Sequence, residues 1–205
     1  MRRTKAEAEE TRQRIIAAAE RVFYDKGVQE TTLEDVARAA GVTRGAIYWH
    51  FANKTELLLA LHDAVPLPQE NMVAQELQAD PPDPLALMEK ASLGWLAEIS
   101  RDERRQRIHA ILLRCDYSRE MAGVLERQRE MDAASCLSAY HAFRQAAAKG
   151  QLAPTWTPEV ASHCFIWMLK GLYQDWLRFG RNFDLVGEGE KCLAQLFDNF
   201  RSVAS

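Results

Sequence analysis

The residues best suited to chemistry lie in one short run, Thr43-Arg44-Gly45-Ala46-Ile47-Tyr48-Trp49-His50-Phe51, with Asn53-Lys54 just after it. Their types point to binding rather than catalysis. Arg44 carries a planar fork that matches the two acceptors on the major-groove edge of guanine. Tyr48 joins a hydroxyl able to donate to phosphate with a ring able to rest on sugar or a thymine methyl. Thr43 and Lys54 each stand at an expected helix start, where unpaired amides and the positive dipole end favour phosphate; capping and a solvated charge are the plain alternatives. Gly45 costs a helix about 1 kcal/mol relative to alanine, which makes sense where a DNA backbone or base must come close. Trp49 and His50 complete the outward set, with a place in the small core or in support of the next helix as the alternative for Tyr48 and, above all, for Trp49. No phosphate-binding glycine loop, nucleophile motif or ordered His/carboxylate set occurs, and no cofactor is implied. A small helical enzyme thus has no support, and the intact Arg44, Tyr48 and Lys54 weigh against a non-catalytic helical adaptor.

The elements that must position these residues can be read from period and caps. Ile15, Ile16, Ala19, Val22 and Phe23 recur at helical spacing, so a helix is expected over residues 8–26, closed by Gly27. Thr31-Thr32-Leu33-Glu34 reads as a capping box, with Thr31 bonding the amide of Glu34 and Glu34 reaching back. The helix it opens carries Leu33, Val36, Ala37 and Ala40 on one face and breaks at Gly41. Thr43 then caps a short helix from Arg44 to about Phe51. Two short helices joined by Ala40-Gly41-Val42-Thr43 have the size and turn of a helix-turn-helix, with Leu33, Val36, Ala37, Val42, Ile47 and Phe51 directed inward. Asn53 caps a fourth helix carrying Leu57, Leu58, Leu61 and Val65.

Residues 11–56, and above all the run from Gly41 to Phe51 with Asn53-Lys54, closely resemble the DNA-binding head of the TetR family of bacterial repressors. Within it the chain is most similar to the AcrR-like branch that controls multidrug efflux pumps, including the opening Arg-Arg-Thr-Lys. The resemblance implies a homodimer whose two heads enter successive major grooves of a palindromic double-stranded operator, and a small hydrophobic effector in the body that spreads the heads apart. It places Thr43, Arg44, Gly45, Tyr48, His50 and Lys54 on the family's DNA-contact positions, and Thr32 on a phosphate-contact position. One departure stands out: Ala64-Val65-Pro66-Leu67-Pro68 should shorten or kink the fourth helix, which in the family links head to body.

Strand and hairpin signals are almost absent, so the chain is expected to be all-α throughout. The expected architecture is an N-terminal three-helix, helix-turn-helix head over residues 1–53 and a C-terminal helical ligand-binding and dimerisation domain over 54–205, entered by the connecting fourth helix. After the loop at Asp80-Pro81-Pro82-Asp83-Pro84, body helices are expected near 84–100, 102–115, 119–149, 157–180 and 184–204, with Pro84 and Pro158 each at a first helical position. The helix at 157–180 is apolar over most of its circumference and needs cover on two sides. With the last helix it is expected to meet its symmetry mate through Val160, Cys164, Trp167, Gly171, Leu196 and Phe200; a purely intramolecular core is the alternative. Trp95, His109, Leu113, Tyr140, Met168, Lys170 and Tyr173 are the candidates for lining an effector pocket, each with an ordinary core or surface role as its alternative. Lys170 amid apolar neighbours could meet an anionic or phenolic ligand, an intersubunit salt bridge or snorkelling being the plainer readings.

Composition sets the outer limits. The 205 residues are 47% hydrophobic and 27% charged, with a net charge of −3. That balance suits a folded globular chain and not one that coats nucleic acid indiscriminately. Residues 1–65 hold ten Lys/Arg and ten Asp/Glu, yet five of those cations fall in the first 14 residues, so a basic arm is expected on a neutral head. With neither a secretory signal nor a membrane span, the expected location is the cytoplasm. Cys115, Cys136, Cys164 and Cys192 have no metal-knuckle or redox spacing, and reduced, mostly packed thiols are preferred to a zinc site.

Overall fold

Helical periodicity and well-placed caps turn almost the whole sequence into helix. A computed structural model describes residues 5–64, 68–117 and 119–201. The helices are α1 (Lys5–Lys26), α2 (Leu33–Ala40), α3 (Arg44–His50), α4 (Lys54–Asp63), α5 (Pro68–Gln78), α6 (Pro84–Arg101), α7 (Glu103–Leu113), α8 (Ala122–Ala148), α9 (Pro158–Arg178) and α10 (Leu185–Phe200). A single 3-10 turn, Arg119–Met121, leads into α8, and an isolated antiparallel bridge pairs Leu152 with Arg201. The all-α expectation therefore holds among the described residues. No helix there is long and apolar enough to cross a membrane.

Two differences from the sequence reading have clear causes. The sequence reading assigns no helix between Pro66 and the Asp80–Pro84 loop, yet α5 occupies most of that stretch. Proline is tolerated where a helix begins, because the missing amide has no partner in the first turn, and Pro68 stands at that point. The capping box of α2 is also shifted by one residue. Thr32 accepts from Asp35 N–H at 3.1 Å, and the Asp35 carboxylate accepts from Thr32 N–H at 3.1 Å. Thr31 is buried instead, donating its hydroxyl at 2.6 Å to the carbonyl of Gly27, the residue just past the end of α1.

The chain forms two compact units, Met1–Pro66 with Arg104–Gln128, and Leu67–Glu103 with Arg129–Ser205. The first unit thus keeps the head together with α4, α7 and the start of α8, where the sequence suggested a division at residue 53. Its core gathers Ile15, Ile16, Ala19 and Phe23 of α1, Leu33 and Val36 of α2, Ile47 of α3, and Leu57, Leu58 and Leu61 of α4. Ile108, Ile111 and Leu112 of α7 join them. Each such side chain contributes about 1.5–3 kcal/mol on burial, so α7 is a structural part of the head. Polar contacts reinforce that join. The buried Glu20 carboxylate lies 3.0 Å from Arg104 Nε and 2.8 Å from Arg107 Nε, and Thr55 donates to Glu120 O at 2.8 Å.

The second unit is built around aromatic packing. Phe143 of α8 meets Phe200 of α10 edge-on at 4.8 Å, and Phe165 of α9 meets Phe197 at 5.6 Å. Trp156 covers Phe200 at 4.9 Å and donates its indole N–H to Asn199 O. Arg201 ties this end to Glu89 of α6 at 2.7 Å. The Asp83 and Thr157 side chains cap α6 and α9, each ahead of the proline expected there.

Candidate nucleic-acid interface

The reading surface is made by a tight turn between α2 and α3. Gly41 adopts φ +63°, a left-handed conformation that other L residues rarely take, and its N–H bonds the Ala37 and Arg38 carbonyls. Arg14 of α1 reaches across to donate to Ala40 O at 2.9 Å, holding this turn from behind. Thr43 then caps α3 by accepting from Ala46 N–H at 3.2 Å, and its hydroxyl hydrogen is left to donate elsewhere. A cap of this kind is worth about 1 kcal/mol. Lys26 meets Asp35 at 2.8 Å and links α1 to α2. Lys26 and the Thr32 N–H together hold the Asp35 carboxyl well below the usual carboxylate range.

With Ile47 fully buried beneath it, α3 turns the opposite face outward. Trp49 is 73% exposed and Tyr48 43% exposed, so Trp49 is a surface residue and not part of the core. Its ring meets His50 edge-on at 4.5 Å, and His50 is half-buried beside Phe51. Arg44 extends over the Tyr48 ring at 5.6 Å. Gly45 is exposed, and a Cβ built there would meet nothing within 4 Å. The protomer's own packing therefore does not require glycine at this position.

Thr32 and Lys54 flank this surface in different ways. Thr32 is exposed at the start of α2, with its side-chain oxygen engaged in the cap. Lys54 is half-buried, and its ammonium donates to the Val28 and Gln29 carbonyls, both at 3.1 Å. It therefore fastens the start of α4 to the loop after α1, with a third hydrogen still available to an anion. Glu34 is the acidic member that the sequence did not reveal. Its Oε1 accepts from Tyr48 Oη at 3.1 Å and stands 3.2 Å from Arg44 Nε. Ten and fourteen residues separate these partners in the chain, and the capping role assigned to Glu34 concealed its reach. The basic arm expected at the extreme N-terminus lies partly outside the described residues, as does Pro66. α4 itself ends at Asp63, where Ala64 N–H bonds the Leu61 carbonyl.

Among the expected effector residues, Trp95 of α6 and Tyr173 of α9 come together edge-on at 4.9 Å. Burial raises the Tyr173 phenol's pKa, and the Asp132 charge adds to that, so the group stays neutral at ordinary pH. Lys170 pairs with Asp132 of α8 at 2.6 Å, an ion pair within the protomer and not between subunits. Met168 packs partly buried against the same core, and Tyr140 stands beside His141. His109 and Leu113 are half-buried on α7 in the first unit.

The expected dimer residues divide sharply. Val160, His163, Trp167 and Gly171 share an exposed stripe on α9, with Trp167 66% exposed and stacked on His163 at 5.2 Å. Phe200, by contrast, is 0% exposed. Together with Leu193 and Phe197, it faces the protomer's own aromatic core, which corrects its assignment to a surface. Cys164 and Leu196 are partly buried against that same core. Of the four free cysteines, Cys115 is buried and its thiol pushed up by that burial, while Cys192 is exposed.

Residues 15–61 match the family described as "Bacterial regulatory proteins, tetR family", and residues 83–202 match "MAATS-type transcriptional repressor, C-terminal region". The HTH-type transcriptional repressor BepR of Brucella suis is 37% identical over 206 residues, covering 100% of this chain and 99% of that one. NalD, the secondary repressor of the MexAB-OprM multidrug efflux pump in Pseudomonas aeruginosa, superposes with a TM-score of 0.87 at 35% identity over 96% of this chain and 98% of that one. The triclosan complex of SmeT, repressor of the multidrug efflux pump SmeDEF of Stenotrophomonas maltophilia, gives a TM-score of 0.83 at 30% identity over 94% and 92%. Two family matches spanning head and body, whole-length relatives and an exposed recognition helix agree: this chain belongs to the TetR family, whose members are helix-turn-helix transcriptional regulators and not enzymes.

Proposed function

We propose that this protein is a homodimeric repressor that acts in the cytoplasm on a palindromic operator of a multidrug efflux operon and is released by a small hydrophobic effector. The observation that carries the reading is the outward face of α3, where Arg44, Tyr48 and Trp49 stand exposed above an open Gly45 on a head fixed by its caps. Thr32, Thr43, His50 and Lys54 supply the surrounding contacts. The efflux target follows from the whole-length likeness to NalD and SmeT, repressors of such pumps. The effector class follows from the SmeT complex with triclosan and from the aromatic pair Trp95 of α6 and Tyr173 of α9, with the Lys170–Asp132 ion pair joining α9 to α8. Dimerisation through the exposed α9 stripe would give two heads in fixed register, the geometry that a palindrome demands. An effector then shifts the operator equilibrium only so far as it binds the released form more tightly.

The experiment is a gel shift with the intergenic DNA upstream of the gene. Expected is a salt-sensitive, sequence-selective complex that triclosan or a similar apolar phenol dissociates. Operator should weaken effector binding by the same factor. Binding indifferent to sequence would overturn the repressor reading.

A further inference from the structure

The cap of α2 is closed by Thr32 and Asp35, which leaves Glu34 outside it. Its carboxylate turns instead to α3, accepting from Tyr48 Oη and standing 3.2 Å from Arg44 Nε. Stability does not explain this arrangement. The Arg44 side chain is 75% exposed, a setting in which solvent screening leaves an ion pair little stabilising effect. The helix dipole favours an acid in the first turn of α2, but it does not call for that acid to reach Arg44 and Tyr48 of α3. A carboxylate on a face that meets nucleic acid repels phosphate whatever the base sequence, so its presence calls for a return in discrimination.

We propose that Glu34 is a specificity-determining residue of the reading surface, holding Arg44 by Nε so that its terminal nitrogens face a base edge while its negative charge penalises phosphate contacts. The inference rests on the reading of this chain as an operator-binding regulator. Both effects act in the same direction. A guanine edge offers two acceptors to the outer nitrogens of a guanidinium already oriented, so less side-chain freedom is lost on binding. A non-cognate duplex offers Arg44 chiefly phosphate oxygens, and reaching them means leaving Glu34 or drawing the carboxylate towards the backbone. Affinity for arbitrary DNA is therefore suppressed more than affinity for the operator.

The test uses the full-length protein and two fluorescent duplexes. One is selected by the wild-type protein from a random library, and the other is a shuffled duplex of the same composition. Glu34→Gln removes the charge but keeps an acceptor: it is expected to tighten binding to the shuffled duplex about tenfold, with the selected duplex changing less than about threefold. Glu34→Ala also loses the orientation, so it should tighten the shuffled complex and weaken the selected one. In an Arg44→Ala background, Glu34→Gln should leave the ratio of the two affinities unchanged. Thermal melts of all variants check that the head stays folded. An unchanged affinity ratio in both Glu34 variants, or an equal shift with Arg44 absent, overturns the proposal while leaving the operator reading intact. A wild-type protein that cannot distinguish its selected duplex from the shuffled one overturns both.

Discussion

At the scale of single residues, the reading surface separates groups that specify from groups that hold. Among the described residues Arg44 meets Glu34 and the Tyr48 ring with a side chain that is 75% exposed, so its removal should leave the fold alone. Arg44→Ala is expected to cost about 1–3 kcal/mol of operator binding and to relax base preference at one position. Lys54 is different, because it also ties the Val28 and Gln29 carbonyls. Lys54→Ala should weaken all duplexes alike and additionally lower thermal stability by about 1 kcal/mol. Anisotropy titrations against single-base variants, set beside melting curves, distinguish the two; identical profiles would refute this division of roles. Gly45 gives a prediction of opposite sign in its two readouts. A methyl group there meets nothing in the protomer, so Gly45→Ala should stabilise the fold by about 0.5–1 kcal/mol while weakening DNA binding. Tighter or unchanged DNA binding would show that nothing approaches α3 closely at that point.

At the scale of elements, most helices were legible because period and cap agreed, as at Thr43, Asn53, Asp83 and Thr157, whose side chains cap α3, α4, α6 and α9. Where two neighbouring residues fit the same rule, local sequence could not choose. Thr31 and Thr32 are chemically alike, and the difference lies in the turn between α1 and α2, where the Thr31 hydroxyl reaches the Gly27 carbonyl four residues back and Thr32 is left to cap α2. Proline posed the same ambiguity: the rule that placed Pro84 inside a helix start applies equally to Pro68, but its neighbour Pro66 made the segment read as a break. The candidate site was legible in its cations and aromatics and not in its carboxylate, since Glu34 acts on α3 through space. Apolar period also could not say which cover α10 would find, and Phe143 of α8 supplies it from the same protomer. One element carries a pH response. His62, in the last turn of α4, has its pKa lowered chiefly by burial, partly offset by Asp63, with Arg127 acting in the same direction as burial. The unfolded chain therefore takes up a proton near pH 6.5 while the folded one does not, and stability falls as pH drops through that value towards the lowered folded pKa. Urea titrations at pH 8 and pH 5.5 should show a loss in the wild type that His62→Gln reduces. An equal loss in both proteins would assign the acid sensitivity elsewhere.

At the scale of the whole molecule, the division into units changes where coupling between effector and operator must be sought. The family resemblance implies a single lever, the fourth helix, and that helix ends at Asp63. Because Arg104–Gln128 belongs with the head, the chain passes between units three times: after residue 66, after Glu103 at the start of α7, and within α8. The Glu20 contacts with Arg104 and Arg107 fix α7 to α1 within the first unit, next to one of these crossings. Whatever the crossings transmit has consequences for a palindrome only if two copies are held together, and the exposed stripe of α9 is the surface offered for that. Its exposed Trp167 has the size and flatness of residues that dominate interfaces, and truncating such an anchor typically costs about 2–4 kcal/mol. Gly171, four residues on, has open space where a side chain would stand, so the protomer tolerates a larger residue that a closely packed partner would not. Trp167→Ala and Gly171→Gln are thus each expected to leave the protomer's melting curve nearly unchanged at concentrations where it is monomeric. Both should shift the monomer–dimer equilibrium towards monomer by at least about 30-fold in sedimentation equilibrium. Operator affinity should fall with the dimer population, and a palindrome cut to one half-site should lose its advantage in the wild type but show none in the variants. Variants that remain dimeric would move the interface off this stripe, and with it the fixed spacing on which operator recognition depends.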